Sequence, residues 1–163
     1  MCSEEIKSIF GNQVRVRVMG LYREGDSILL LNHSGLNSAN ELWLPPGGGV
    51  DFGVGLEDVL VQEFREELGV DIVPGAFLFM NEFRHDTLHA IELFFEIDQL
   101  IGEPIIGRDP EMAEKQILQN YRFWSVSEIQ NHNLDCFHPV FQKLRNMDEL
   151  FAIRGFFKFE KNI

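Results

Sequence analysis

At 163 residues the chain is long enough for one domain with a substantial core and too short for two ordinary ones, so 1–163 is expected to form a single unit. An apolar fraction of 45% with 25% charged residues excludes a disordered chain, and fifteen Phe supply core bulk without disulfides. The formal net charge of −12 argues against a nucleic-acid polymer or an anionic membrane as partner, since both are held by clustered Lys and Arg; a phosphate-bearing small molecule would need a bound cation or a few placed arginines.

Cys2 and Cys136 cannot make a disulfide framework, and their spacing suggests no zinc motif, which fits a reducing cytoplasm. The opening residues carry acids and no sustained apolar run, so neither a signal peptide nor a lipoprotein leader is expected. No stretch approaches the ~20 apolar residues that span a bilayer. The expected protein is soluble and cytoplasmic.

In chain order, residues 14–22 and 27–31 read as strands joined in a hairpin at Glu24-Gly25-Asp26. Residues 33–41 are polar and predict a loop, Leu42-Trp43-Leu44 is a short apolar piece, and Pro45-Pro46 followed by Gly47-Gly48-Gly49 predicts a glycine-rich loop. Leu60, Phe64 and Leu68 recur at i, i+4 and i+8, which predicts a helix over 56–68 with Gly69 as its C-terminal cap. Residues 70–73, 76–83 and 88–97 are rich in β-branched and aromatic side chains and read as strands around a turn at Asp86-Thr87. Residues 101–120 predict a loop with a helical turn over 111–118. A strand follows at 121–124, a helical turn capped by Ser127, a helix over 139–147 with Pro139 in its first turn, and a late strand or interface segment at 156–159. Strands interleaved with helices predict a mixed sheet covered by helices.

The chemistry is concentrated in residues 47–70. The helix after the glycines carries Glu63, Glu66 and Glu67 within a sector of roughly 100°, and three like charges there are favourable when a divalent cation neutralises them. Oxygen-only ligands suit Mg²⁺ or Mn²⁺. Glycines without Cβ let the backbone approach a metal, a phosphate or the helix closely, and a loop carbonyl could complete the coordination shell.

Gly48, Glu63, Phe64, Glu66, Glu67, Gly69 and Val70 stand at the spacing of the Nudix box, and Leu42 to Gly47 resembles the usual approach to it. Over residues 42–70 the chain resembles the Nudix hydrolases, the MutT-like pyrophosphohydrolases. The resemblance implies an α/β/α sandwich with a mixed β-sheet, with Mg²⁺ held by Glu63, Glu66, Glu67 and Gly48, and the same three glutamates as the catalytic residues. It further implies hydrolysis of a pyrophosphate bond in a nucleoside diphosphate derivative, such as a nucleotide sugar, or in a nucleoside triphosphate, and is compatible with a homodimer. Val54 replaces the first Glu of the box and Gln62 its Arg. A competing reading is therefore a catalytically weak nucleotide-binding or sensing module. One box carboxylate, or Glu111 or Glu114 from the later loop, could serve as general base. Arg84, Arg108 and Phe83 are candidate substrate contacts. A metal site at His85 and His89 is disfavoured by the intervening turn.

Overall fold

The computed structural model describes residues 8–107 and 117–158. After a helical turn come β1 (Gln13–Leu21), β2 (Arg23–Glu24), β3 (Ser27–His33), β4 (Leu42–Leu44), β5 (Gly47–Gly49), α1 (Leu56–Leu68), β6 (Asp71–His85), β7 (Leu88–Ile101) and β8 (Leu118–Ser125). The chain then runs through α2 (Val126–Gln130), 3₁₀ turns at Leu134–Cys136 and Pro139–Phe141, α3 (Met147–Ala152) and β9 (Gly155–Phe157). One sheet has the order β5-β1-β7-β6-β9 and is mixed: β1 pairs with β7 and β6 with β9 in parallel, while the other two pairings are antiparallel. In the second, antiparallel sheet β3 pairs with β8 along its length, with β2 at its start and with β4 at its end.

Alternation along the strands places the layers. Ile28 and Leu30 join Met19, Phe79, Phe94 and the C-terminal Phe137 and Phe141 in one buried cluster, whereas Leu29 and Leu31 join Val18, Phe95 and the α1 residues Leu60, Phe64 and Leu68 in another. Both sheets therefore contribute to a middle layer, with α1 on one face and the C-terminal elements on the other. Each large apolar side chain of α1 buried in this way is worth about 1.5–3 kcal/mol, which fixes the helix against β1 and β5.

The mixed sheet agrees with the expected architecture; the second sheet was not foreseen. Several local expectations are corrected. The expected 14–22/27–31 hairpin shrinks to Arg23↔Ile28 and Glu24↔Ser27, because β1 pairs over its whole length with the distant β7 and only Tyr22 crosses toward β3. Segments 70–73 and 76–83 form one strand, bulged around Pro74, whose missing N–H interrupts the ladder. The turn cap is Ser125 and not Ser127: Ser125 and Glu128 form a reciprocal capping box. The helix expected over 139–147 is a single 3₁₀ turn, and the helix begins only after Asn146, whose side chain accepts from the Glu149 amide. The helical turn expected over 111–118 lies largely outside the described residues, and β8 already begins at Leu118.

Candidate functional site

The helix that carries the acids forms where its sequence predicts. Glu57 and Asp58 sit in its first turn, where the helix dipole favours acids. Gly69 ends it in the left-handed conformation (φ 65°), with its amide donating to the Arg65 carbonyl. Beyond that cap the chain returns, and the amides of Ile105 and Gly107 donate to the last-turn carbonyls of Leu68 and Glu67 at 2.9 and 2.8 Å.

The segment expected as a glycine loop is instead strand β5, paired antiparallel with β1 through Met19↔Gly47, Val18↔Gly48 and Arg17↔Gly49. At two of these places the glycine is closely approached by its surroundings. A Cβ on Gly47 would lie 2.0 Å from the Val18 carbonyl oxygen, and one on Gly48 would lie 2.0 Å from Glu63 Oε1. The Gly47 amide also donates to Glu67 Oε2 at 3.0 Å. Two of the three box glutamates thus lie directly against the glycine strand.

Next to this contact is a cleft of about 250 Å³, bordered among others by Gly49, Asp51, Val54, Gln62, Glu63 and Glu66. Glu63 and Glu66 face it. Glu67 is 5% exposed, and its carboxylate is turned toward Gly47. Gln62 donates through Nε2 to Glu66 Oε1 at 2.8 Å, while Val54 is 40% exposed at the cleft wall. The residues that depart from the box are therefore in the same cleft as its acids. A set of carboxylate oxygens under a backbone too close for a side chain fits a hard divalent cation.

Phe83 and Arg84 lie on β6, three strands from β5 in sheet order, and neither is among the residues bordering this cleft. Arg108, Glu111 and Glu114 lie outside the described residues. The turn between His85 and His89 is present, with Asp86 at φ 54°; His85 pairs with Leu88 and His89 with Arg84, so the two rings point to opposite faces of the sheet.

A buried polar row on the sheet face opposite α1 escaped the sequence reading. Asn81 donates to Glu92 Oε2 at 2.9 Å, and His138 Nε2 lies 2.9 Å from the same oxygen while Nδ1 accepts from the Val140 amide. The accepting Nδ1 leaves the hydrogen on Nε2, so the ring donates to Glu92. Burial works against the Glu92 anion, but His138, Arg17 and Asn81 together hold its carboxyl below the ordinary range. Arg17 stands in β1 between Gly49 and Glu92, and its buried Nε has no hydrogen-bond partner among the described residues. Residues 17, 81 and 92 meet through strand register, and His138 reaches Glu92 from the start of the second 3₁₀ turn, which no local pattern announces. His33 is likewise buried, and its pKa falls to about 4 because burial and the Arg17 charge outweigh hydrogen bonding to the Leu31 and Leu42 backbone.

The fold and this contact define a mixed α/β domain in which a carboxylate-bearing helix is seated under a glycine strand. The sequence profile of the NUDIX domain matches residues 11–143, and the chain belongs to the Nudix family and is a pyrophosphohydrolase. Among solved structures similar to it is the MutT protein of Methanosarcina mazei Go1, at 22% identity and a TM-score of 0.61 over 75% of this chain and 84% of that one. The MutT NUDIX hydrolase of Burkholderia pseudomallei is 20% identical, with a TM-score of 0.60 over 71% and 85% of the two chains. The NUDIX hydrolase of Nitrosomonas europaea is 17% identical, with a TM-score of 0.59 over 73% and 77%. At these identities the likeness is one of fold. No curated protein matches the chain. Among the described residues no helix is long and apolar enough to cross a membrane.

Proposed function

We propose that the protein is a Mg²⁺-dependent hydrolase of a nucleoside diphosphate derivative, such as a nucleotide sugar, or of a nucleoside triphosphate, acting as a single domain in the cytoplasm. The observation that carries this reading is the seating of Gly48 on the Glu63 carboxylate beside a cleft that Glu66 also borders. Glu63 and Glu66, with Glu67 and the Gly48 backbone behind them, are the proposed metal-holding set, and Mn²⁺ could replace Mg²⁺. When bound, the cation supplies charge neutralisation at the phosphoryl oxygens and a more acidic water. Glu67 fixes the strand by accepting from Gly47, and Glu66, which borders the cleft, is the proposed acceptor of the proton of an attacking water. Phe83, Arg84 and Arg108 stay as secondary substrate candidates, and a homodimer as an assembly compatible with the family.

A second reading is favoured by Val54 and Gln62. Both border the cleft where the family pattern has charged residues, and Gln62 occupies a Glu66 oxygen. A protein that binds its nucleotide and turns it over slowly would follow. A panel of nucleotide sugars, dinucleotides, NADH and nucleoside triphosphates, assayed with and without Mg²⁺, separates the two. Metal-dependent phosphate release from one compound supports the enzyme. A thermal shift by one compound without its consumption supports the sensor. Response to none of them would sink both.

A further inference from the structure

A second group of metal-binding side chains lies away from the carboxylate helix. Glu41 precedes β4, His132 follows α2, and Cys136 closes the first 3₁₀ turn; one donor atom from each lies within 4.8 Å of the other two. Among the described residues no other set of three His, Cys, Asp or Glu side chains closes so tightly. Glu41 Oε1 is 3.1 Å from His132 Nε2, and it accepts from Trp43 Nε1 at 2.7 Å, so the carboxylate is already oriented by an indole. Such a partner behind a ligand is the usual way a protein aims a metal donor.

The surroundings add to the case. Cys136 is 2% exposed, and the His132 ring packs against Trp124 and Phe137, with centroids at 5.3 and 5.6 Å. One thiol, one imidazole and one carboxylate, walled by aromatic rings and open at the exposed His132 edge, make a mixed S/N/O set. That set discriminates against Mg²⁺ and Ca²⁺, which want oxygen alone, and selects a borderline ion.

We propose that Glu41, His132 and Cys136 form a Zn²⁺-class site, three protein ligands with a fourth position left to solvent. The bound ion would tie the C-terminal segment to the strand that leads into Gly47–Gly49. These two parts already touch there: Trp43 and Phe137 form a β-bridge, and the His138 amide donates to the Trp43 carbonyl at 3.2 Å. The role is a clamp on the approach to the glycine strand, independent of the cation proposed at Glu63 and Glu66.

Titration of the full chain with Co²⁺ tests this, because a Co²⁺–thiolate bond gives a near-ultraviolet charge-transfer absorption that carboxylate sites do not. Cys136 is the sole thiol in a Cys2→Ser background. The expected result is one thiolate-bound Co²⁺ per chain, displaced by stoichiometric Zn²⁺ and not by excess Mg²⁺. The band should vanish in Cys136→Ser. His132→Ala, at an exposed position, should weaken binding by at least about tenfold, and Glu66→Gln should leave the band in place. Absence of the band in the Cys2→Ser chain, or its persistence in Cys136→Ser, overturns the site. An undiminished affinity in His132→Ala, with the fold verified by circular dichroism, overturns it as well.

Discussion

The Glu63 carboxylate fills the space that a side chain on Gly48 would need: a Cβ there would lie 2.0 Å from Glu63 Oε1 and 2.3 Å from its Cδ. The obstacle is the end of a flexible side chain, so an added methyl can push it aside without moving the backbone. At Gly47 the obstacle is the Val18 carbonyl on the paired strand, which cannot yield in the same way.

Gly48→Ala and Gly47→Ala should therefore fail differently. Gly48→Ala is expected to keep its stability to within about 0.5–1 kcal/mol while losing at least tenfold in Mg²⁺-dependent turnover, equivalent to about 1.4 kcal/mol. Gly47→Ala is expected to lose about 1–3 kcal/mol of stability or more from overpacking. Urea unfolding and the phosphate-release assay on both variants check this. Equal stability losses would show that the Glu63 side chain does not yield to an added methyl as described.

Glu67 gives a second contrast, because it is buried and accepts from the Gly47 amide. Glu67→Gln keeps an oxygen for that amide and should unfold at nearly the wild-type urea concentration, while activity falls with the lost charge. Glu67→Ala strands the buried amide and should cost about 1–3 kcal/mol in addition. Wild-type turnover by Glu67→Gln would remove this glutamate from the metal set and leave it a purely structural role.

Much of the site could be read from local pattern. The period of Leu60, Phe64 and Leu68 and the cap at Gly69 located α1, and the spacing from Gly48 to Val70 identified the family. What could not be read depends on contacts distant in sequence. Glycines next to prolines suggest a loop, and only the pairing of Gly47–Gly49 with β1 makes them a strand. The second sheet, the Asn81–Glu92–His138 row and the approach of His132 to Glu41 are likewise products of tertiary register. At the C-terminus Pro139 is a fair helix start, but local capping by Asn146 decided where the helix begins.

The buried His33 makes stability depend on pH. Its folded pKa of about 4 lies below the ordinary histidine value of 6.5, so the neutral ring is favoured by folding. Its contribution is complete above pH 6.5 and is lost as pH falls through the window from 6.5 to 4, because the unfolded chain takes up the proton first. The slope should approach about 1.4 kcal/mol per pH unit. Once pH falls below the ordinary glutamate value of 4.5, Glu92, held low in the fold, adds a further loss in the same direction. In unfolding curves from pH 7.5 to 4, His33→Asn should lack this component, and equal slopes for wild type and variant would show that His33 does not titrate as described.

Val54 and Gln62 stand where the family pattern has a Glu and an Arg, and whether they act together can be measured. A pair lost from the interior would have left a penalty of about 3–5 kcal/mol for restoring only one charge. Their setting does not impose that penalty: Val54 is 40% exposed, Gln62 is exposed, and both border the cleft with Glu63 and Glu66. Either single charge should therefore leave stability nearly unchanged and act on the site's electrostatics instead. Val54→Glu adds a carboxylate beside two others. Gln62→Arg places a cation against Glu66, where it competes with a bound metal and replaces the amide hydrogen bond. Each single variant is expected to turn over more slowly than the double variant, in which the new Arg answers the new Glu and frees Glu66 for the metal. For an exposed pair the coupling energy should be about 0.2–1 kcal/mol, read from turnover and unfolding of all four proteins in a double-mutant cycle. A double variant faster than the wild type would mean that the substitutions had lowered catalysis, favouring the slow nucleotide-binding reading of the natural chain. Zero coupling would mean that the two positions do not communicate across the cleft, and the replacement of the family's charged pair would then have to be explained at each position separately.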